Sequence, residues 1–133
     1  MKHAEFLNTT QAVSQFDSTE AVESFVQSVF EVLANRIYGN EAKDLASQLP
    51  EEIAQYLRGH EGENGTYMDL QTFYSRIAER SQLDVAEIPQ KVRGLFAVIQ
   101  KAVTPGQFDH LKVNLSDEYA ELFRPPPSRQ HLE

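Results

Sequence analysis

Two pairs of adjacent carboxylates, Glu51-Glu52 and Asp117-Glu118, are the sharpest candidates for chemistry in this sequence. Pro50 precedes the first pair and Ser116 the second, so each pair should open a short helix. Two acids at matching helix starts could frame a polar site for general acid–base work, with Glu52 and Glu118 as its members. The same placement has a simpler cause, because a carboxylate in the first turn is stabilised by the positive end of the helix dipole. That cause needs no further partners. No residue is therefore assigned a catalytic, cofactor-binding or metal-binding role.

The other reactive side chains are scattered. His3, His60, His110 and His131 lie far apart, and neither Glu-x-x-His nor His-Glu-x-x-His occurs. The patterns of di-iron bundles and zinc hydrolases are thus missing, and the histidines read as exposed, with His110 at a solvent edge. Gly59, Gly62 and Gly65 interleave with Glu61 and Glu63, which would repel a phosphate, so they read as a flexible loop. No Gly-x-Ser-x-Gly elbow occurs. Tyr56 and Tyr119 are expected at the edge of the core with solvated hydroxyls. The absence of cysteine excludes disulfides and thiolate chemistry, and fits a cytoplasmic chain.

The chain has 133 residues, enough for one domain, and a formal net charge of −8. Residues 1–66 carry 4 basic and 11 acidic side chains, against 8 and 9 in residues 67–133. A surface with no basic patch excludes nucleic acid and anionic membranes as expected partners. No apolar run reaches the ~18 residues of a spanning helix, and "MKHAEFLNTTQ" has no signal-type apolar stretch.

The elements that would position these residues come twice. "NEAKDLASQLPEEIAQYL", residues 40–57, returns as "GQFDHLKVNLSDEYAELF", residues 106–123. A shift of 66 aligns Phe30 with Phe96, Leu45 with Leu111, Leu49 with Leu115 and Glu52 with Glu118; a shift of 67 aligns Phe6 with Phe73 and Asp17 with Asp84. The matches are mostly apolar and at helical spacing, so a buried face is what repeats. The expectation is an all-α single domain of about eight short helices, from two related four-helix units over about 1–58 and 67–124. Residues 59–66 form the linker and 125–133 an extended Pro-rich tail. Asp17 and Asp84 are the expected starts of the second helix in each unit, with the regular part of the later copy beginning near Ile88 and Pro89 at its first position. Gly39 should stop the earlier copy, Asn40 should cap the third helix, and Pro50 should take the first position of the fourth. Each copy of the repeated segment should close one half of the core around Leu45 and Leu49, or Leu111 and Leu115.

"EAKDLASQLP", with Glu41, Ala42, Asp44, Leu45, Gln48, Leu49 and Pro50, resembles the signature of the bacterial domain-of-unknown-function family numbered 2267. "FYSRIAERSQLD", Phe73 to Asp84, is similar to that family's inter-repeat helix. The resemblance covers about Asp17 to Phe123 and implies a duplicated all-α fold, with no activity or site residues to carry over. The second copy departs from the signature at Phe108, which replaces a small residue, and at Ser116, which replaces the proline.

The expected function is a non-enzymatic protein-interaction or adaptor module, with an unidentified protein partner and possible self-association. A binding domain for a small apolar ligand held between the units is the alternative, followed by an acid–base enzyme using Glu52 and Glu118.

Overall fold

Phe6, Leu7 and Thr10 lie on one side of the first helix, α1 (His3–Val13), and all three are buried. The computed structural model describes residues 1–125, so the tail expected over 125–133 lies, past Pro125, outside the described residues. Helix α2 (Thr19–Arg36) follows, then α3 (Gly39–Ala46) and the single turn α4 (Glu51–Ala54), which tightens into a 3-10 turn, Gln55–Leu57. After the linker come α5 (Leu70–Ser81), a 3-10 turn at Val85–Glu87, α6 (Ile88–Ala102), α7 (Pro105–Leu115) and a closing 3-10 helix, Asp117–Phe123. No strand occurs among the described residues, and the fold is all-α.

The apolar stripe of α2, including Val22, Phe25, Val26, Val29, Phe30 and Leu33, is buried, as is its counterpart on α6, Val92, Leu95, Phe96 and Ile99. Leu45, Leu49, Leu111 and Leu115 are core residues, as their spacing predicts. The core does not divide into halves, however. Helix α1 packs on α6, α5 packs on α2, and α3 packs on α7. Gly94 permits the first of these crossings: a Cβ there would lie 2.4 Å from Ser14 Oγ. Ser14 Oγ in turn donates to the Lys91 carbonyl at 2.7 Å.

The same turns recur at matching positions on both sides of the linker. Gln15 and Gln82, after α1 and at the end of α5, both have φ of 60°. Behind them Phe16 N–H donates to Gln11 O, and Leu83 N–H to Ala78 O. Where α3 meets α7, Tyr38 N–H donates to Asn114 Oδ1 at 3.1 Å, and Thr104 N–H to Gln48 Oε1 at 2.7 Å. Those two bonds join residues that the shift of 66 exchanges.

Several boundaries differ from expectation, each for a local reason. Ser18, not Asp17, caps α2, its hydroxyl accepting from Ala21 N–H at 3.1 Å. Asp84 caps only the 3-10 turn before α6, where its carboxylate accepts from Ala86 N–H. Helix α6 does begin at Ile88, with Pro89 in its second position. Gly39 opens α3 instead of stopping α2, and Tyr38 rather than Asn40 is the N-cap. Gly39 is not among the glycines at positive φ, so it does not form a left-handed stop, and it is required by space, since a Cβ there would lie 1.6 Å from the His60 carbonyl oxygen. Pro50 sits at the N-cap of α4, one residue earlier than expected. Ser116 has φ of 69°, which proline's ring, fixed near about −65°, cannot adopt, so the second copy cannot keep the proline at this corner.

Candidate functional site

The paired acids face four different surroundings. Glu51 forms a bidentate pair with Arg58, which holds its carboxyl below the ordinary range. Glu52 is exposed, with Oε1 at 3.7 Å from His3 Nδ1 in an open groove of about 830 Å³. Glu118 accepts a hydrogen bond from Tyr67 Oη at 3.0 Å, and Asp117 is exposed in the first turn of the closing helix. Glu52 and Glu118 thus have separate partners.

His60 Nδ1 lies 2.9 Å from Glu63 Oε1, His110 is exposed, and His131 is outside the described residues. Gly59, Gly62 and Gly65 all take positive φ. The segment they punctuate is pinned rather than free, which corrects the expectation of a flexible loop. Glu63 O accepts from Gly39 N–H at 2.8 Å, Thr66 N–H donates to Asn35 O at 2.7 Å, and Gly65 is pressed against the Arg36 and Ile37 carbonyls. Tyr56 is half-buried, but Tyr119 is fully buried and its hydroxyl donates to Met68 O at 2.5 Å, not to solvent. Burial pushes the Tyr119 phenol up to about 12.

Pinning the linker builds a surface groove that sequence reasoning missed. Extended backbone at Ile37 and Tyr38 turns the chain out of α2 and leaves the Tyr38 side chain 54% exposed. Tyr67, 69% exposed, lines the same groove. Between them lies a hollow of about 400 Å³ lined by Arg36, Asn64, Gly65, Asn114 and Ser116. Arg36 Nη2 donates to the Leu115 carbonyl at 3.1 Å, and its Cζ stands 5.7 Å from the Tyr67 ring centre and 5.0 Å from that of Tyr119. Among the described residues its buried Nε has no hydrogen-bond partner. Tyr38, Asn64 and Asn114 also line an adjoining hollow whose charged residues are Glu41, Asp44 and Glu63. Burial raises the Glu41 carboxyl above its ordinary value, and Gln107 Nε2 donates to it at 2.6 Å. The groove therefore offers two aromatic faces, several amides and a change from cationic to anionic along its length. The one sequence signal for it was a tyrosine directly after an apolar stripe ends, which is weak without the fold.

The family model described as an uncharacterized conserved protein, DUF2267, matches residues 3–122, nearly the whole described chain. The chain belongs to the DUF2267 family. The resemblance carried by the Glu41–Pro50 segment is therefore correct. No curated protein matches this DUF2267 chain. None of its described helices is long and apolar enough to cross a membrane. Among its described residues no three His, Cys, Asp or Glu gather in a group that could hold a metal ion.

Proposed function

We propose that this DUF2267 chain is a non-enzymatic, cytoplasmic protein-interaction module, built from two related four-helix units, whose partner segment lies in the groove between Tyr38 and Tyr67. The exposure of these two tyrosines on the lining of one groove carries the reading. Tyrosine supplies large contact area with few rotamers to freeze, which makes it a recurrent anchor of protein interfaces. A net charge of −8 favours a protein partner over nucleic acid. Phe6, Phe25, Phe30, Phe73 and Phe96 are all fully buried in one continuous core, which counts against an apolar ligand held between the units. The exposure of Glu52 and Glu118, and their separate partners, count against an acid–base pair.

Photo-crosslinking tests the reading. A photoreactive side chain replaces Tyr38, Tyr67 or, as control, the exposed Val85 on the far 3-10 turn. The expected result is one protein captured from native cytosol at 38 and 67 but not at 85. The purified partner should then bind the unmodified chain, and Tyr38→Ala should weaken it about tenfold or more, the size of an interface anchor. Equal capture at all three positions, or a purified partner indifferent to Tyr38→Ala, would overturn the proposal.

A further inference from the structure

We infer that Arg36 makes the groove between Tyr38 and Tyr67 a carboxylate-binding site, selective for a ligand that carries its carboxylate beside an aromatic ring. The inference rests on the same groove as the interaction reading and adds the chemistry that the groove selects.

Arg36 is half-buried, and it takes part in none of the ion pairs of the described residues, which are His3–Glu52, Arg58–Glu51, His60–Glu63 and Arg80–Glu31. Arg93 is likewise half-buried and outside those ion pairs, but of the two only Arg36 lines this groove. Arg36 carries five donors in a planar fork that matches a carboxylate, and its interactions with the Leu115 carbonyl and the Tyr119 hydroxyl leave part of that capacity unused. Cation–π contacts with the Tyr67 and Tyr119 rings and the bond to the Leu115 carbonyl hold the guanidinium in place before any ligand arrives.

The walls fit the same ligand. The groove's lining includes amides, a serine and a glycine but no acid. Glu118, which accepts from the Tyr67 hydroxyl at 3.0 Å, and Asp69 both act on that phenol, so these acids lie beside Tyr67 and outside the groove's described lining. The adjoining hollow is acidic through Glu41, Asp44 and Glu63, so an anion is steered to the Arg36 side of Tyr38. Tyr38 and Tyr67 offer exposed rings to a flat apolar group, and about 400 Å³ suits a small acid or the aromatic end of a peptide. A purely structural Arg36, donating to the last carbonyl of α7 from the C-terminal turn of α2, would account for the Leu115 bond but not for two exposed tyrosines around a hollow with no acid in its described lining.

The test is a titration of the full-length, ¹⁵N-labelled protein at neutral pH and low salt, followed by amide shifts. The probes are N-acetylphenylalanine, its uncharged amide and inorganic phosphate. Saturable shifts at Tyr38, Gly65 and Asn114 are expected with the acid, at a Kd lower than for the amide or for phosphate by about tenfold or more. Arg36→Gln should abolish the difference between acid and amide. Because Arg36 also packs, Asn114→Asp provides a second variant that keeps an acceptor for Tyr38 N–H and sets a negative charge in the groove. It should weaken the acid by about tenfold and leave the amide unchanged. Acid and amide binding alike would overturn the carboxylate inference and leave the interaction reading standing. Phosphate binding as tightly as the acid, or an acid affinity unmoved by Asn114→Asp, would overturn it as well. Silence from all three probes, with crosslinking at Tyr38 intact, would remove this inference alone.

Discussion

Residues 40–57 and 106–123 hold the same leucines in the core, Leu45 and Leu49 in the first and Leu111 and Leu115 in the second, yet they leave the core differently. After Leu49 the chain passes through Pro50 into an α-turn. After Leu115 it passes through Ser116 at positive φ into a 3-10 helix of seven residues. Position 53 is a buried isoleucine, whereas its counterpart Tyr119 reaches past the core to the Met68 carbonyl. Glu52 meets His3, and Glu118 meets Tyr67. The comparison teaches that burial constrains the two segments alike while their surfaces are free to differ. The proposed groove, with Ser116 and Asn114 on its wall, lies where they differ.

The largest test of that comparison is in the core. Leu45→Ala and Leu111→Ala should each cost ~2–5 kcal/mol in denaturant unfolding, the range for buried leucines. A loss under ~1 kcal/mol at either would break the equivalence of the two segments. Two glycines near the starts of α3 and α7 come next, Gly39 in the first position of its helix and Gly106 in the second. Gly39→Ala must move the His60 carbonyl and should cost ~1–3 kcal/mol, as overpacking does. Gly106→Ala has open space within helix α7 and should gain up to ~1 kcal/mol from helix propensity. Thermal melts that move in the same direction would remove this contrast.

The exchanged pair of hydrogen bonds predicts a matched effect. Gln48→Ala and Asn114→Ala should each cost ~1 kcal/mol, since each leaves a helix-start N–H without its side-chain acceptor. Glu52→Gln and Glu118→Gln should each cost ~0.3–1 kcal/mol, and the two losses should add, because dipole terms are local. Clear non-additivity would revive the paired-acid reading.

The smallest effect is at Glu41, where the sign follows from its raised carboxyl. Its ordinary value is 4.5, and the fold favours the protonated form above that. The stability it contributes is complete below the ordinary value and declines as pH rises through the raised one. Glu41→Gln, which can still accept from Gln107, should flatten this decline in melts taken across the mildly acidic range. A variant whose decline is as steep as the parent's would assign it to another group.

Much of the fold was legible before the structure. The 3.6-residue stripes on α2 and α6 are long enough to set the helical class, and Leu111 and Leu115 were readable as core from their spacing alone. Helix boundaries were less so, because Ser18 and Asp17 are both competent caps and only backbone geometry chooses between them. The groove was least legible. Its residues come from positions 36–38, 64–67 and 114–116, which share no pattern in sequence.

The helical class, the apolar faces and the family follow from periodicity and local motifs, which are properties of neighbouring residues. The glycine at position 39 and the charge at position 36 are equally plain in the sequence. What those two residues do depends on how the helices pack. The His60 carbonyl comes within reach of Gly39 only once the linker folds back. Arg36 faces two tyrosine rings from residues 67 and 119 only once α2, the linker and the closing helix share one corner. Burial is read along the chain, but a site is an encounter between distant segments, and the packed core fixes which segments meet.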